Sequence, residues 1–546
     1  MGPILLTRRS LLAGMFTSAS TGLPLWALDT GKIAWNVRDL GATGDGITLD
    51  TRAIQAAVDS CHHSGGGVVY FPPGGQFLTG TIYLRDHVKL HIDLGARVIG
   101  SSDMSQYGDD TGSNPYYPEP IDRCLIYGRG VKDIALGGAG TIIGCEADRY
   151  LPLPDTSGRD AKQRPMLIKL ENCSLITISG LNIERCGAWA IYIRGSSDFS
   201  FRDLRINNPG QDGIVVDGCN SGTIANCRLM CGDDCIALVT SLHENPIYNI
   251  TISGCELRSS WAGVRFGPAS KGNFESIIVS DSIFHDCDGG GVKLGMYEGA
   301  EIRECIFHDL VMQRVTSPIN IMVTTWPEIG TNKPDRAMMP LGKIHDLQFR
   351  GIRAITKGIP PSVRPDQGSC IFMHGHPESV IENVTLTDVD ATFAGGGTAG
   401  DAQHRNMIDI NLIDFRRGGY WTDDKDVWGV PPAYGLYARH VKGFTLNNLA
   451  FFVANPDLRS PVFCSDCEDT SISGFEAHCA KGGAMVTARN CSHMALSNLH
   501  PKGDAVLLRL EGKKSNGVTL SQNDPRQFRK LFACYQGASA KAVITK

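Results

Sequence analysis

Ala190-Ile191-Tyr192-Ile193 opens a short apolar pattern that recurs along the middle of the chain. Four further copies follow as Gly213-Ile214-Val215-Val216, Cys235-Ile236-Ala237-Leu238, Gly263-Val264-Arg265-Phe266 and Gly291-Val292-Lys293-Leu294. The second residues of these copies are 23, 22, 28 and 28 positions apart. Alternate residues are apolar, as in a strand with one buried face. Such repeats predict an all-β solenoid of stacked strands, a parallel β-helix, better than a sandwich or a propeller.

A second set of apolar segments lies between these copies and indicates two or three short strands per repeat. Its members are Phe199-Ser200-Phe201, Ile224-Ala225-Asn226, Ile250-Thr251-Ile252, Ile277-Ile278-Val279 and Ile302-Arg303-Glu304. Cys227, Cys255 and Cys305 occupy matching places, so we expect a buried ladder of thiols. The chain has 18 cysteines but no paired C-x-x-C motifs, so zinc is not favoured. Disulfide formation stays open.

The flanking sequence extends the solenoid in both directions. Residues 28–63 are expected to cap the first coil with one amphipathic helix, which Asp50 can cap. Residues 64–525 are predicted to form the catalytic β-helix, and residues 526–546 a C-terminal tail. The stretches 315–345 and 395–435 lack periodicity, and such insertions often gather around a binding face. Continuing coils are indicated at Val380–Thr387, Val441–Phe452, Thr470–Phe475 and His493–Leu499.

The N-terminal residues resemble an export signal. Thr7-Arg8-Arg9-Ser10-Leu11-Leu12 precedes a weakly apolar run that ends near Ala27, as in a twin-arginine signal peptide. Glycine, serine, threonine and proline interrupt the run, so a spanning helix is not expected. We predict a signal peptide over residues 1–27 and a periplasmic or secreted protein.

The charge balance excludes one class of partner. The 546 residues include 52 Lys and Arg against 57 Asp and Glu, a net charge of −5. No basic signature for nucleic acid is present. An anionic substrate therefore needs locally placed cations. The sequence makes no prediction of oligomeric state.

Three aspartates are the main candidates for chemistry. Asp212 stands in Gln211-Asp212-Gly213-Ile214, and Asp233 and Asp234 follow 21 and 22 residues later. One coil apart means neighbouring strands, about 4.8 Å from backbone to backbone. Three close carboxylates can cleave a sugar chain by acid–base catalysis, and their repulsion should raise at least one pKa. The alternatives are turn aspartates or a calcium-binding ladder.

These motifs lead to a known resemblance. Gly232-Asp233-Asp234-Cys235-Ile236-Ala237 is similar to a signature of glycoside hydrolase family 28, the polygalacturonases and their relatives. The opening Asn36–Ala42, the segment Val69–Gly74 and the segment Pro432–Val441 also resemble members of that family. The resemblance implies a single-stranded, right-handed parallel β-helix of the pectin-lyase type and hydrolysis with inversion. The resemblance implies that Asp233 is the general acid and that Asp212 and Asp234 hold and deprotonate the attacking water. It implies no cofactor.

The substrate-binding motifs depart from the family pattern. Ala262 stands where the family's Gly-His-Gly motif has histidine, and Arg265 stands where serine is usual. Lys293-Leu294-Gly295 replaces Arg-Ile-Lys, and Gly210-Gln211 replaces Asn-Thr before the first aspartate. We therefore predict a conserved type of acid–base chemistry with an altered sugar specificity.

Cations and tryptophans stand near the aspartates in the repeat. Arg265 and Lys293 occupy equivalent places in successive coils, so we expect a cationic pair that binds a uronate or sulfate. The alternative is a salt bridge to the catalytic carboxylates or to Asp217. Trp189 is predicted to stack on a sugar, and the same holds for Trp261, although packing is the alternative for both. The histidines show no metal-ligand spacing, and we predict no metal.

Three classes of function remain open from the sequence. The first is an exported glycoside hydrolase that acts on an acidic, pectin-like polysaccharide or oligosaccharide. The second is a polysaccharide lyase on the same scaffold, with Arg265 or Lys293 as the base. The third is a non-catalytic glycan-binding β-helix.

Overall fold

A computed structural model describes residues 34–109, 123–145, 165–208, 210–325, 339–358, 370–405 and 430–546. The predicted signal peptide, residues 1–27, lies outside the described residues. The described strands form two parallel sheets, of 15 and 26 strands. The solenoid predicted from the repeats is therefore confirmed.

The strands of the N-terminal part are β1 (Ala34–Asn36), β2 (Asp45–Leu49), β3 (Gly67–Phe71), β4 (Gln76–Thr79), β5 (Ile82–Tyr83), β6 (Val88–Ile92), β7 (Arg97–Gly100), β8 (Cys124–Arg129), β9 (Lys132–Gly138) and β10 (Thr141–Cys145). Those of the centre are β11 (Met166–Glu171), β12 (Ser174–Ser179), β13 (Asn182–Glu184), β14 (Ile191–Arg194), β15 (Ser197–Arg202), β16 (Arg205–Asn208), β17 (Ile214–Asp217), β18 (Asn220–Ala225), β19 (Arg228–Cys231), β20 (Ile236–Thr240), β21 (Ile247–Ser253), β22 (Glu256–Ser259), β23 (Ala262–Ser270), β24 (Phe274–Ser280), β25 (Ile283–His285), β26 (Gly290–Met296), β27 (Glu301–Val315) and β28 (Ile319–Val323). Those of the C-terminal part are β29 (Lys343–Thr356), β30 (Ile371–His374), β31 (Ile381–Gly395), β32 (Ala433–Arg439), β33 (Val441–Asn455), β34 (Ser460–Ser465), β35 (Glu468–His478), β36 (Ala484–Arg489), β37 (Ser492–Lys502), β38 (Val506–Glu511), β39 (Val518–Ser521), β40 (Lys530–Tyr535) and β41 (Val543–Thr545). The helices are α1 (Thr51–His63) and α2 (Ala399–Gln403), with 3-10 turns at Val37–Leu40, Met104–Gln106, Pro525–Gln527 and Ala540–Ala542.

The N-terminal helix forms as predicted, but Asp50, the residue before it, acts differently from the expectation. α1 buries one apolar face through Ile54, Ala57, Val58 and Cys61. Asp50 precedes the helix without a side-chain hydrogen bond to it. Its carboxylate instead accepts hydrogen bonds from the backbone N–H groups of Thr43 and Gly44, at 2.7 and 2.9 Å. Asp50 thus holds the preceding loop, and the predicted side-chain cap is wrong.

The fifteen-stranded sheet follows the register read from the sequence. Ile191 pairs with Ile214, Ile214 with Ile236, Ile236 with Val264, and Val264 with Val292. Their side chains are fully buried and form an apolar ladder in the solenoid core. The ladder continues to Ile319 in β28. Part of the stretch 315–345 is therefore a coil, although its lack of periodicity suggested an insertion.

The twenty-six-stranded sheet departs from the expected alignment. Ile224 pairs with Phe201 rather than Phe199, and Ile302 pairs with Phe274 rather than Ile277. The first slip is of two residues, which keeps the same side chains inward, so apolar pattern alone cannot detect it. The second slip is of three residues; Phe274 and Ile277 are both fully buried, because Ser276 between them has a positive φ of 54° that interrupts the alternation. The slips also change the thiol ladder. Cys227 and Cys255 are buried thiols in consecutive coils, whereas Cys305 pairs with Leu347 inside β27.

The continuing coils of the C-terminal half lie where they were expected. β31, β33, β35 and β37 cover those segments and pair in order. β40 and β41 lie within residues 526–546, the segment expected to be a tail, and pair with β38 and β39. The solenoid therefore continues beyond residue 525. Of the predicted insertion 395–435, α2 and the start of β32 are described.

Among the residues that the structure describes, no helix has both the length and the apolar character that crossing a bilayer requires.

Candidate active site

The three aspartates lie on two adjacent turns that connect the two sheets. Asp212 follows β16 and precedes β17, while Asp233 and Asp234 follow β19 and precede β20. Because Ile214 pairs with Ile236, these turns are neighbours in the stack. One carboxylate oxygen from each of Asp212, Asp233 and Asp234 lies within 4.8 Å of the other two. The sequence therefore located this constellation correctly.

Backbone hydrogen bonds hold the two turns together. The N–H of Asp234 donates to the Asp212 carboxylate at 3.2 Å, and the N–H of Ala262 donates to the Asp234 carboxylate at 3.1 Å. The N–H of Gly213 donates to the Asp234 carbonyl at 3.0 Å. Each buried carboxylate is thus fixed by the coil that follows it.

The three aspartates differ in burial and therefore in electrostatic environment. Asp212 and Asp234 are buried, and Asp233 is the more exposed of the three. Burial raises the pKa of Asp212 well above its ordinary value, and the charges of Asp233 and Asp234 add to the rise. Burial also raises the pKa of Asp234 to about 7, although the Arg265 guanidinium opposes the rise. The predicted upward pKa shift is confirmed, with burial as a larger cause than repulsion.

The two predicted cations lie side by side next to the aspartates. Arg265 pairs with Lys293 across β23 and β26, and both side chains are buried. The Arg265 Nε atom lies 3.8 Å from a carboxylate oxygen of Asp234 and donates to the Gly267 carbonyl at 3.1 Å. The salt-bridge alternative therefore holds for Asp234. Asp217 instead accepts hydrogen bonds from Tyr192 and Ser241.

The two candidate tryptophans have different surroundings. Trp189 is 5% exposed and packs on Tyr192, with ring centroids 5.0 Å apart. This placement matches the packing alternative for Trp189. Trp261 is only partly buried, and the Lys293 ammonium lies 4.5 Å from its ring centroid. Trp261 is thus the tryptophan beside the cationic pair.

Two polar residues support the site and were missed in the sequence. The Asn208 side-chain amide donates to the carbonyls of Asp212 and Ala188, at 2.7 and 2.9 Å. The Ser259 hydroxyl donates to the Asp233 carbonyl and accepts from the N–H of Trp261. Asn208 and Ser259 share one register position, through Cys231. A coil-by-coil alignment of the residues before each turn would have found them.

Two groups in the described part of the chain have ligand atoms close enough to share a cation. The first is the aspartate triad itself, and the second is Glu468, Asp469 and His493, which are exposed. In both groups the ligand atoms lie within 4.8 Å of one another. The calcium alternative for the aspartates therefore stays compatible with the geometry.

Comparisons with known proteins give one consistent result. The family model described as "Glycosyl hydrolases family 28" matches residues 107–399, and a model described as "Rhamnogalacturonase A/epimerase, pectate lyase-like" matches residues 34–98. A probable polygalacturonase of Vitis vinifera is 27% identical over 393 residues, which cover 65% of this chain and 77% of that protein. An exo-poly-alpha-D-galacturonosidase of Dickeya chrysanthemi is 27% identical over 439 residues, 69% of this chain and 71% of that protein.

A solved structure shows the same architecture. The family 28 exopolygalacturonase of Yersinia enterocolitica superposes with a TM-score of 0.54 at 17% identity, covering 85% of this chain and 78% of that one. At this identity, the likeness concerns the fold, a right-handed parallel β-helix.

Proposed function

Because the chain belongs to glycosyl hydrolase family 28 and is a glycoside hydrolase, we propose that it cleaves an acidic, pectin-like polysaccharide or oligosaccharide. The observation that carries the proposal is the aspartate triad, in which one carboxylate oxygen from each residue lies within 4.8 Å of the other two. Arg265 and Lys293 beside the triad supply the local positive charge that an anionic sugar needs. The names of the relatives, which include polygalacturonases, support a galacturonate-containing substrate.

The proposed division of roles is the one that the resemblance to the family implies, and the exposure of Asp233 and the pKa of Asp234 are compatible with it. Asp233, the most exposed aspartate, protonates the glycosidic oxygen as the bond to the anomeric carbon breaks. Asp212 and Asp234 hold the attacking water, and Asp234 takes its proton. A base with a pKa of about 7 is well matched to neutral pH, because about half of the molecules carry it ionised and it is still basic enough to accept a proton. Asp234 then releases the proton to solvent and Asp233 takes one up, which restores both groups for the next turnover.

The spacing of the carboxylates supports a water held between them. Two hydrogen bonds of about 2.8 Å that meet at a bent water span about 4.5 Å, which falls within the 4.8 Å limit on the separation of the Asp212 and Asp234 oxygens. A water on the far side of the sugar from the acid gives inversion. NMR of the first products tests this step: the inverted anomer is expected, and retained configuration would contradict it.

The proposed uronate subsite consists of Arg265, Lys293 and Trp261. A guanidinium binds a carboxylate through two parallel hydrogen bonds, and the ammonium adds a point charge. The Trp261 ring contacts the Lys293 ammonium in a cation–π interaction. The subsite departs from the family pattern at Arg265 and Lys293, and the neighbouring Ala262 departs from it as well, which supports an altered specificity.

The first prediction concerns the acid and the base. Asp233→Asn and Asp234→Asn should each lower kcat on the best acidic oligosaccharide by about 10²- to 10⁴-fold, because each removes a proton-transfer group. A panel of acidic and neutral plant and algal oligosaccharides identifies that substrate, and thermal melting confirms that both variants stay folded. Turnover retained in either variant, or activity on neutral sugars alone, would overturn the proposal.

The lyase alternative is less well supported by the site. A lyase base must be deprotonated, but Arg265 lies 3.8 Å from the Asp234 carboxylate, which favours the charged guanidinium. Lyase activity would appear as rising ultraviolet absorbance from unsaturated products and as sensitivity to a chelator. Hydrolysis should show neither.

We also propose export through the twin-arginine pathway, on the basis of Thr7-Arg8-Arg9-Ser10-Leu11-Leu12. A bacterial host with that pathway should deliver the full-length protein to its periplasm. Replacing both arginines by lysine should retain the protein in the cytoplasm. If the two forms are found in the periplasm in equal proportion, export by this route is contradicted.

A further inference from the structure

A groove of about 480 Å³ lies on the outer face of the twenty-six-stranded sheet. It crosses five consecutive coils at β13, β16, β19, β22 and β25, which pair in that order. The inward residues of these strands belong to the core, so the groove is built from the alternate, outward side chains. It lies on a different sheet from Arg265 and Lys293.

The side chains of the groove suit a charged sugar. Three guanidinium groups, from Arg205, Arg228 and Arg258, line it together with the side-chain amides of Asn182 and Asn207. Met230 lies among them with 43% of its surface exposed. Guanidinium groups bind carboxylates, amides bind hydroxyl groups, and a thioether with arginine stems can cover the C–H face of a sugar ring.

The charges of the groove are only partly compensated. Arg228 pairs with Glu256 at 3.1 Å, and Arg258 lies 3.9 Å from Asp286, which also binds Arg314 at 2.7 Å. His285 lies between Glu256 and Asp286, at 3.2 and 3.7 Å. Arg205 makes no ion pair with any residue that the structure describes. Three guanidinium groups thus face two lining carboxylates, Glu184 and Glu256.

The strands of the groove lead directly into the catalytic turns. β16 precedes Asp212, β19 precedes Asp233 and Asp234, and β22 precedes Trp261. Met230 is three residues before Asp233 in the chain, so their α-carbons are at most about 10 Å apart. The groove therefore begins next to the turns that carry the acid.

We propose that this groove is a second carbohydrate site, which binds an acidic glycan segment outside the catalytic subsites. Arg205 and Arg228 occupy neighbouring rungs, about 4.8 Å apart. That spacing is close to the length of one pyranose unit, so successive cations can meet successive uronates. The choice of an acidic glycan as the ligand rests on the proposed function, whereas the existence of the groove does not depend on it. A polymer bound in the groove lies beside the catalytic turns.

Binding tests the groove without catalysis. In the full-length Asp233→Asn background, Arg205→Gln combined with Arg258→Gln should weaken retardation in a polygalacturonate-containing gel at least threefold. The matched control is Arg350→Gln, an exposed arginine on the same sheet several coils away. A gel with a neutral β-glucan should retard none of the variants. Unchanged retardation of the double variant, or equal loss in the control, would overturn the proposal.

Chain-length dependence supplies the second measurement. In the otherwise unmodified enzyme, the double substitution should lower kcat/KM at least threefold on polygalacturonate and leave it unchanged on a disaccharide or trisaccharide. Equal loss on long and short substrates would overturn the proposal. If the enzyme hydrolyses none of these substrates, the proposed function is wrong. The gel measurement still shows whether the groove binds an acidic glycan.

Discussion

At the scale of single residues, Asp234 is governed by two opposing effects. Burial raises its pKa, and the Arg265 guanidinium 3.8 Å away lowers it, with about 7 as the result. The same arginine stands in the proposed uronate subsite. One side chain therefore links substrate charge to the protonation of the base.

We expect Arg265→Ala to shift the pH dependence of the enzyme. Removing the guanidinium removes the effect that lowers the pKa of Asp234, so this pKa should rise above about 7. A higher pH is then required to ionise the base, and the acidic limb of the kcat profile should move to higher pH. Arg265→Lys, which keeps a positive charge, should shift the limb less. If the acidic limb of the kcat profile does not move in Arg265→Ala, Arg265 does not control the pKa of Asp234.

Trp261 provides a prediction about substrate binding. Its ring faces the Lys293 ammonium, and such contacts contribute roughly 0.5–2 kcal/mol. Trp261→Ala should therefore raise KM for acidic oligosaccharides by about 2- to 30-fold, and Trp261→Phe should raise it less. Trp189→Phe is the matched control, because Trp189 packs on Tyr192. A similar change of KM in the Trp189 variant would contradict the assignment.

At the scale of strands and turns, the register explains which parts of the structure were predictable. The copies around Ile191, Ile214 and Ile236 combine an apolar pattern with a small residue before the strand (alanine, glycine and cysteine in turn), which fixes their alignment. Around Phe199, Ile224 and Ile302 only the alternation of apolar residues is available. Alternation identifies the inward face but permits slips of two residues. The turn lengths that set the register are not encoded in that pattern.

The candidate site was predictable to a similar extent. Asp212, Asp233 and Asp234 have a recognisable motif and a coil spacing, and Arg265 and Lys293 lie in the well-aligned set. Asn208 and Ser259 belong to the strands before the turns, where the alignment was weaker. The difference between Trp189 and Trp261 depends on packing across coils, which the sequence does not specify.

The turn after Asp212 allows a test at this scale. A Cβ atom on Gly213 would lie 2.6 Å from the Cys235 carbonyl oxygen and 2.8 Å from the Cys231 sulfur. Gly213→Ala should therefore displace the turn and lower kcat by at least tenfold. Gly358→Ala is the control, because a Cβ atom there meets nothing within 4 Å among the residues that the structure describes. Wild-type kcat in the Gly213 variant would show that the turn tolerates displacement.

At the scale of the whole molecule, the solenoid has two sheets with different surroundings. The fifteen-stranded sheet carries the cationic pair, and the outer face of the twenty-six-stranded sheet carries the groove. The catalytic turns lie at the boundary between them. A polymer that occupies both surfaces must pass over the acid.

The C-terminal strands permit a prediction for the entire fold. Removing residues 526–546 deletes β40 and β41 and exposes the edges of β38 and β39. Open strand edges pair with other chains, so we expect a lower melting temperature and concentration-dependent association in light scattering. Removing only residues 536–546 retains β40 and should have a smaller effect. Unchanged melting in the longer deletion would show that these strands add nothing to stability.

The placement of the aspartates on two different coils has a consequence for the study of folding. Asp212 reaches Asp233 and Asp234 only when β17 and β20 have stacked in their native order. A chain wound with one turn out of place can retain strand content and compactness while it lacks the triad. Recovery of turnover during refolding therefore counts the correctly wound molecules, a quantity that circular dichroism does not report.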